Sequence, residues 1–164
     1  MDGDGSCFYR AASITSTTTD RFGTIANIHF KVADYLLLQR DVLSEFNYDS
    51  HANWGKYVEN VRSHNEWADH VSIKGFVEIY NVVVIIIIAT SDGIDLSVVS
   101  PQQQQKRQPS SPAIFLFFDR IREHYFSLVP KLDSCIAVVK ASVQRDDAEY
   151  ISGPKIPSSC QLGK

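Results

Sequence analysis

The run Val82-Val83-Val84-Ile85-Ile86-Ile87-Ile88 constrains the fold more than any other stretch of this chain. It is β-branched throughout and does not alternate with polar residues, so a strand built from it is apolar on both faces. Such a strand belongs in the middle of a sheet, covered on each side. Extended to Ala89 the run is still far too short to cross a bilayer as a helix, and left exposed it would be an aggregation hazard. Helical periodicity lies mostly before the run and strand patterns after it. That order predicts an α+β domain, with one sheet packed against a helical cluster.

Cys7 to about Ser16 reads as a helix, with Phe8, Ala11, Ala12 and Ile14 on its apolar side. Thr24 to Phe46 reads as a second, in which Ile25, Ile28, Val32, Leu36 and Leu43 recur at helical spacing. Asp49-Ser50 can cap a third, with Trp54, Tyr57, Val58 and Val61 along one face. Trp67 to about Tyr80 reads as a fourth, with Val71, Phe76, Val77 and Tyr80 inward and Gly75 as its weak point. Asn81 ends that helix. After the central strand, Ile94 to Val99 predicts a shorter one. Ala113 to Phe118 and His124 to Val129 predict a hairpin whose second strand begins at His124. Residues 101–112, rich in Gln, Pro and Ser, read as a flexible insertion, with Lys106-Arg107 as solvated loop charges. Cys135 to Val139 can add one more element. The domain is placed at 1–143 and a loose tail at 144–164.

With 164 residues, 44% apolar, the chain suits one domain with a real core. A net charge of -3, mixed along the sequence, points to no nucleic-acid partner. The three cysteines, Cys7, Cys135 and Cys160, are widely spaced and form no CxxC pair, so a reducing compartment is the simpler reading. No secretory signal or membrane span is visible at the sequence level. A monomer in the cytosol, or in the nucleus, is expected.

The chemistry concentrates near the start. Asp4-Gly5-Ser6 forms a tight turn into Cys7, which opens an apolar helix. A thiol at a helix N-terminus sits among backbone N–H groups that favour its thiolate and can bind an oxyanion. Gly5 permits the close backbone approach this needs, so Gly5, Ser6 and Cys7 are the expected oxyanion turn. His124, held in a strand, can act as base and later as acid.

These two segments, in this order, resemble the OTU (ovarian tumour) family of papain-like cysteine deubiquitinases. The Cys loop is Asp4-Gly5-Ser6-Cys7-Phe8-Tyr9-Arg10, and the His motif is His124-Tyr125-Phe126-Ser127-Leu128. Glu66-Trp67-Ala68-Asp69-His70, leading into the central strand, resembles the family's Trp-Gly element, with Ala68 in place of the glycine. The resemblance spans about Asp4 to Pro130. It implies a papain-type fold with a small, mostly antiparallel sheet. It also implies a Cys7 thioester with the terminal glycine of ubiquitin, and ubiquitin or polyubiquitin as partner. Trp67 and Tyr125 would shape the groove for the ubiquitin tail, and no cofactor is needed.

One position departs from the pattern. Two residues after the His, where the family usually has Asp or Asn, stands Phe126, which cannot accept a proton from the imidazole. Asp4 is the expected substitute orienter. Two alternatives stay open: a binding module that has lost turnover, and a protease that processes a polyprotein. Relatives commonly carry a segment ahead of the Cys loop, so a minimal domain and a piece of a longer chain are both open as well. Several residues also have plainer readings. Cys7 can be a small buried hydrophobe, His124 a satisfied strand histidine, and Trp67 reads first as core. His29, His51, His64 and His70 have no metal-motif spacing.

Overall fold

The structure, a computed structural model, describes residues 5–15, 22–43, 53–90, 93–102 and 111–128. Asp4, the Asp49-Ser50 cap, most of the Gln-rich insertion, the Cys135–Val139 element and the tail from residue 144 lie outside the described residues.

Helix α1 runs Cys7–Thr15. Phe8, Tyr9, Ala11 and Ala12 are buried, a stripe that takes in about half of the helix surface. Ile14, expected among them, is 70% exposed, because it lies about 240° around the helix from Phe8. Cys7 falls at the border of the stripe, about 100° from Phe8, and is 8% exposed.

Helix α2, Ile25–Leu38, starts where Thr24 Oγ1 accepts the Asn27 N–H at 3.3 Å. It buries Ile28, His29, Val32, Ala33 and Leu36. The single helix expected from Thr24 to Phe46 breaks at Gln39, after which α3 (Arg40–Leu43) follows. Leu36 is the last buried residue of α2, and Leu37 and Leu38 face solvent.

Helix α4, Trp54–Arg62, buries Trp54, Tyr57, Val58 and Val61, the face its spacing predicts. Helix α5 is His70–Tyr80 and begins three residues later than expected. Asp69 is extended, and its Oδ1 accepts the Ser72 N–H at 2.8 Å, which fixes the start. The same oxygen accepts from the Tyr57 hydroxyl at 2.7 Å and ties α4 to α5. Asn81, with φ of 48°, closes the helix in the left-handed region.

Four strands follow: β1 Val83–Thr90, β2 Gly93–Val99, β3 Ala113–Asp119 and β4 His124–Leu128. Their order is β2-β1-β3-β4, so the β-branched run is central as expected. The β1–β2 and β3–β4 pairings are antiparallel, and β1–β3 is parallel. Val84, Ile86, Ile114 and Leu116 face the helices and join the main core. Val83, Ile85 and Phe115 form a smaller cluster on the other face.

An internal ion pair joins α5 to the segment after β2. Glu78 Oε1 receives Lys74 Nζ at 2.8 Å and the Gln102 N–H at 2.6 Å, and Lys74 also donates to the Ser100 carbonyl at 2.6 Å. Both side chains are largely buried. Glu78→Ala leaves that ammonium without its counter-charge and is expected to cost about 2 kcal/mol in denaturant unfolding.

Candidate active site

Three segments converge at the start of α1. The first is the turn into Cys7. Ser6 supplies the carbonyl that accepts the Arg10 N–H at 3.0 Å, the first bond of the helix. Gly5 has φ of 66°, and a Cβ placed on it would lie 2.4 Å from the Glu66 carbonyl oxygen and 2.8 Å from that of His64. Only a residue without a side chain fits here. The turn thus brings its backbone against a second backbone and delivers Cys7 at the helix N-terminus, where unpaired N–H groups gather. Cys7 is a free thiol.

The second segment is the loop that Gly5 touches. Asn65 N–H reaches the Asn60 carbonyl at 2.9 Å, and Asn60 Nδ2 donates to Glu66 Oε2 at 3.3 Å. Trp67 follows directly. It reads first as core, yet it is 42% exposed. The buried place next to it goes to Ala68, and Asp69 begins the helix only afterwards, so the indole stays outside.

The third segment is β4. Phe8 meets Tyr125 edge to face, with ring centroids 5.4 Å apart. That contact joins the residue after Cys7 to the residue after His124, so the start of α1 lies beside the start of β4. Tyr125 also packs on Phe118 at 4.7 Å. Burial, and secondarily negative charge at Cys7, push the Tyr125 hydroxyl up to about 12, so it keeps its proton at neutral pH. Among the described residues no hydrogen bond joins Cys7 to His124. In enzymes of this chemistry that bond often tightens only once substrate is bound.

His124 and Phe126 share a face of β4, with ring centroids 4.9 Å apart. Phe126 therefore occupies the place from which an acid would orient the imidazole. Asp119 is the residue paired with His124 across the β3–β4 ladder. Directly opposed residues lie on one face, so Asp119 shares the face of the hairpin on which His124 stands. Its Oδ1 accepts the Ile121 N–H at 2.9 Å and the Arg122 N–H at 3.2 Å, and its Oδ2 pairs with Arg122 at 3.3 Å. A carboxylate has about four lone-pair sites, so these bonds leave capacity for an imidazole N–H. Spacing along the sequence does not single out Asp119. The signal is the hairpin register.

Two histidines lie against the turn, although their spacing along the sequence gives no sign of it. Ser6 is fully buried, and its Oγ lies 3.0 Å from His29 Nε2 and 3.4 Å from His64 Nδ1. The Ser6 hydroxyl therefore faces inward, and this residue offers the outer side of the turn only its backbone. Among the described residues no three His, Cys, Asp or Glu side chains gather as metal ligands, and no helix is long and apolar enough to cross a membrane.

This arrangement can be set against known proteins. The sequence matches no curated protein. The fold is similar to the OTUD1 OTU domain, with a TM-score of 0.61 at 16% identity, over 79% of this chain and 83% of that one. It is also similar to an OTU deubiquitinase from Wolbachia pipientis wMel bound to ubiquitin, with a TM-score of 0.55 at 14% identity, over 79% and 92%. A third likeness is the Hazara virus OTU bound to ubiquitin, with a TM-score of 0.52 at 13% identity, over 79% and 77%. At these identities the likeness carries the α+β fold. A family model, OTU-like cysteine protease, matches residues 2–125, from the Cys turn into β4. The chain belongs to the OTU-like cysteine protease family.

Proposed function

We propose that this protein is a cysteine-type deubiquitinase that cleaves isopeptide or peptide bonds after the C-terminal glycine of ubiquitin. The observation that carries the reading is the turn: a thiol on the first residue of α1, reached through a left-handed glycine pressed on the 64–66 backbone. Ubiquitin in complex with two of the similar structures supports the choice of substrate.

In the proposed cycle, the Cys7 thiolate attacks the terminal glycine carbonyl, and N–H groups of the turn receive the oxyanion. His124 protonates the leaving amine of the substrate lysine. A water, deprotonated by His124, then attacks the thioester carbonyl and frees the ubiquitin carboxylate and Cys7. The exposed Trp67, next to the turn, would flank an extended diglycine tail. Tyr125 supports the site from beneath, with its ring on Phe8.

Orientation of His124 falls to a carboxylate other than position 126. Asp4 keeps the role proposed from the motif, and the register supports Asp119 beside it. Asp119→Asn retains an oxygen for the turn amides but loses the charge, so it is expected to lower kcat about tenfold while thermal stability stays close to wild type.

The test is hydrolysis of ubiquitin bearing a C-terminal fluorogenic amide. Turnover in wild type that is absent in Cys7→Ala supports the reading. A folded wild-type protein that binds ubiquitin and never turns it over supports a second one, a ubiquitin-binding module, which Phe126 favours.

A further inference from the structure

His29 and His64 lie 23 and 58 residues along the chain from Ser6, yet both reach its hydroxyl. His29 is fully buried. Its Nδ1 lies 2.6 Å from the Val61 carbonyl oxygen and must donate to it. Its Nε2 shares a hydrogen bond with the Ser6 hydroxyl, which also lies within reach of His64 Nδ1. Tyr9 packs against His29 on its edge at 4.4 Å, and His64 stacks on it at 3.9 Å with an 11° tilt. His29 is thus fixed by backbone, hydroxyl and two rings. Ser6 has no surface through which to meet a substrate, so a second nucleophile is excluded.

His64 belongs to the loop whose backbone supports Gly5 and which leads into Trp67. The loop holds the turn twice, through its carbonyls against Gly5 and through the His64 ring on Ser6. The links differ in length: the two bonds of His29 are short, and the His64 bond, at 3.4 Å, is the long one. The adjustable member of the clamp is therefore the one on the Trp67 loop.

We infer that His64 is a positioning residue: through Ser6, and stacked on His29, it couples the Trp67 loop to the oxyanion turn at Cys7. This rests on the reading of Cys7 as nucleophile. Donors for an oxyanion act only when held in place, and they act in the transition state. Loosening the clamp lowers kcat and leaves KM nearly unchanged, whereas a residue that only shapes the groove would change KM.

His64 has φ of 65°, which permits a clean test. Glycine suits that backbone and removes the ring, whereas asparagine tolerates the left-handed region and puts Nδ2 where His64 has Nδ1. Two readouts apply: kcat and KM on the fluorogenic ubiquitin substrate, and amide hydrogen exchange over residues 5–8. In His64→Gly, kcat is expected to fall about tenfold with KM within about twofold, and exchange over 5–8 to quicken about tenfold. His64→Asn restores both. Ser6→Ala, which leaves the loop backbone untouched, repeats the glycine result and serves if His64→Gly does not fold.

A glycine variant as slow in exchange and as fast in turnover as wild type overturns the inference, because His64 then matters for backbone shape alone. A change confined to KM overturns it too. Should wild type not hydrolyse the ubiquitin substrate, the exchange contrast alone decides. If the contrast is present, the clamp stands and the substrate assignment falls. If it is absent, the clamp falls.

Discussion

Gly5→Ala is expected to reduce kcat/KM on the order of 10³-fold, and to destabilise the fold by about 3 kcal/mol. Two costs combine. The left-handed conformation, φ of 66°, is about 1–2 kcal/mol less favourable for alanine. The new methyl would also lie 2.4 Å from a backbone oxygen of Glu66, which cannot rotate out of the way as a side chain would. Either the turn or the 64–66 loop must move. Movement of the turn misplaces the N–H groups that receive the oxyanion, and losing one such donor typically costs about 10²–10³ in rate. Movement of the loop would displace His64 and its hold on Ser6. Thermal unfolding reports the loss of stability. Turnover at a temperature where circular dichroism shows the variant folded reports the loss of rate. Gly5→Asn separates the causes: asparagine tolerates the backbone angle but still carries a Cβ, so it should regain some stability and little activity.

Phe126→Asp is expected to act in the opposite direction and raise kcat on the order of 10²-fold. The wild-type ring lies 4.9 Å from the His124 ring on the same face of β4. A carboxylate there can accept the imidazole N–H, select the productive tautomer and stabilise the imidazolium, a contribution worth up to about 10⁴ in a serine-protease triad. The gain is set lower here because, under the proposal, Asp119 and Asp4 already serve part of the role. Phe126 is 40% exposed and stands outside the main core, so the substitution should shift the melting temperature by only a few degrees. Combined with Asp119→Asn, it should remove most of the loss caused by that change. An unchanged kcat in Phe126→Asp would mean that orientation of His124 does not limit turnover.

Much of the fold is legible along the chain because its signals are local. The β-branched run needs cover on two faces, and it becomes the central strand. Trp54, Tyr57, Val58 and Val61 recur at helical spacing, and all four are buried. Where the structure departs from the periodicity, a competing local signal is present. Helical spacing takes in Trp67, but Asp69 caps the helix two residues later through Ser72. The helical spacing runs on to Leu43, but α2 ends at Leu38, with Gln39 as its C-cap. The parallel β1–β3 pairing depends on how the chain returns to the sheet, which no periodicity records.

The site divides in the same way. The Asp-Gly-Ser-Cys turn announces itself because tight turns have strict residue preferences, and the departure at Phe126 shows only against the His motif that the chain resembles. Asp119 gives no signal along the chain because only the hairpin register pairs it with His124. His29 and His64 give no signal along the chain because their spacing matches no metal motif. Their partner is Ser6, and only tertiary packing brings the three together.

The most direct test of the central claim uses ubiquitin carrying a C-terminal thiol-reactive warhead, with the modified residue located by mass spectrometry. The account predicts a one-to-one covalent adduct on Cys7, absent in Cys7→Ser and slowed in Gly5→Ala. A folded wild-type protein that forms no adduct, or forms it on Cys135 or Cys160, would contradict it.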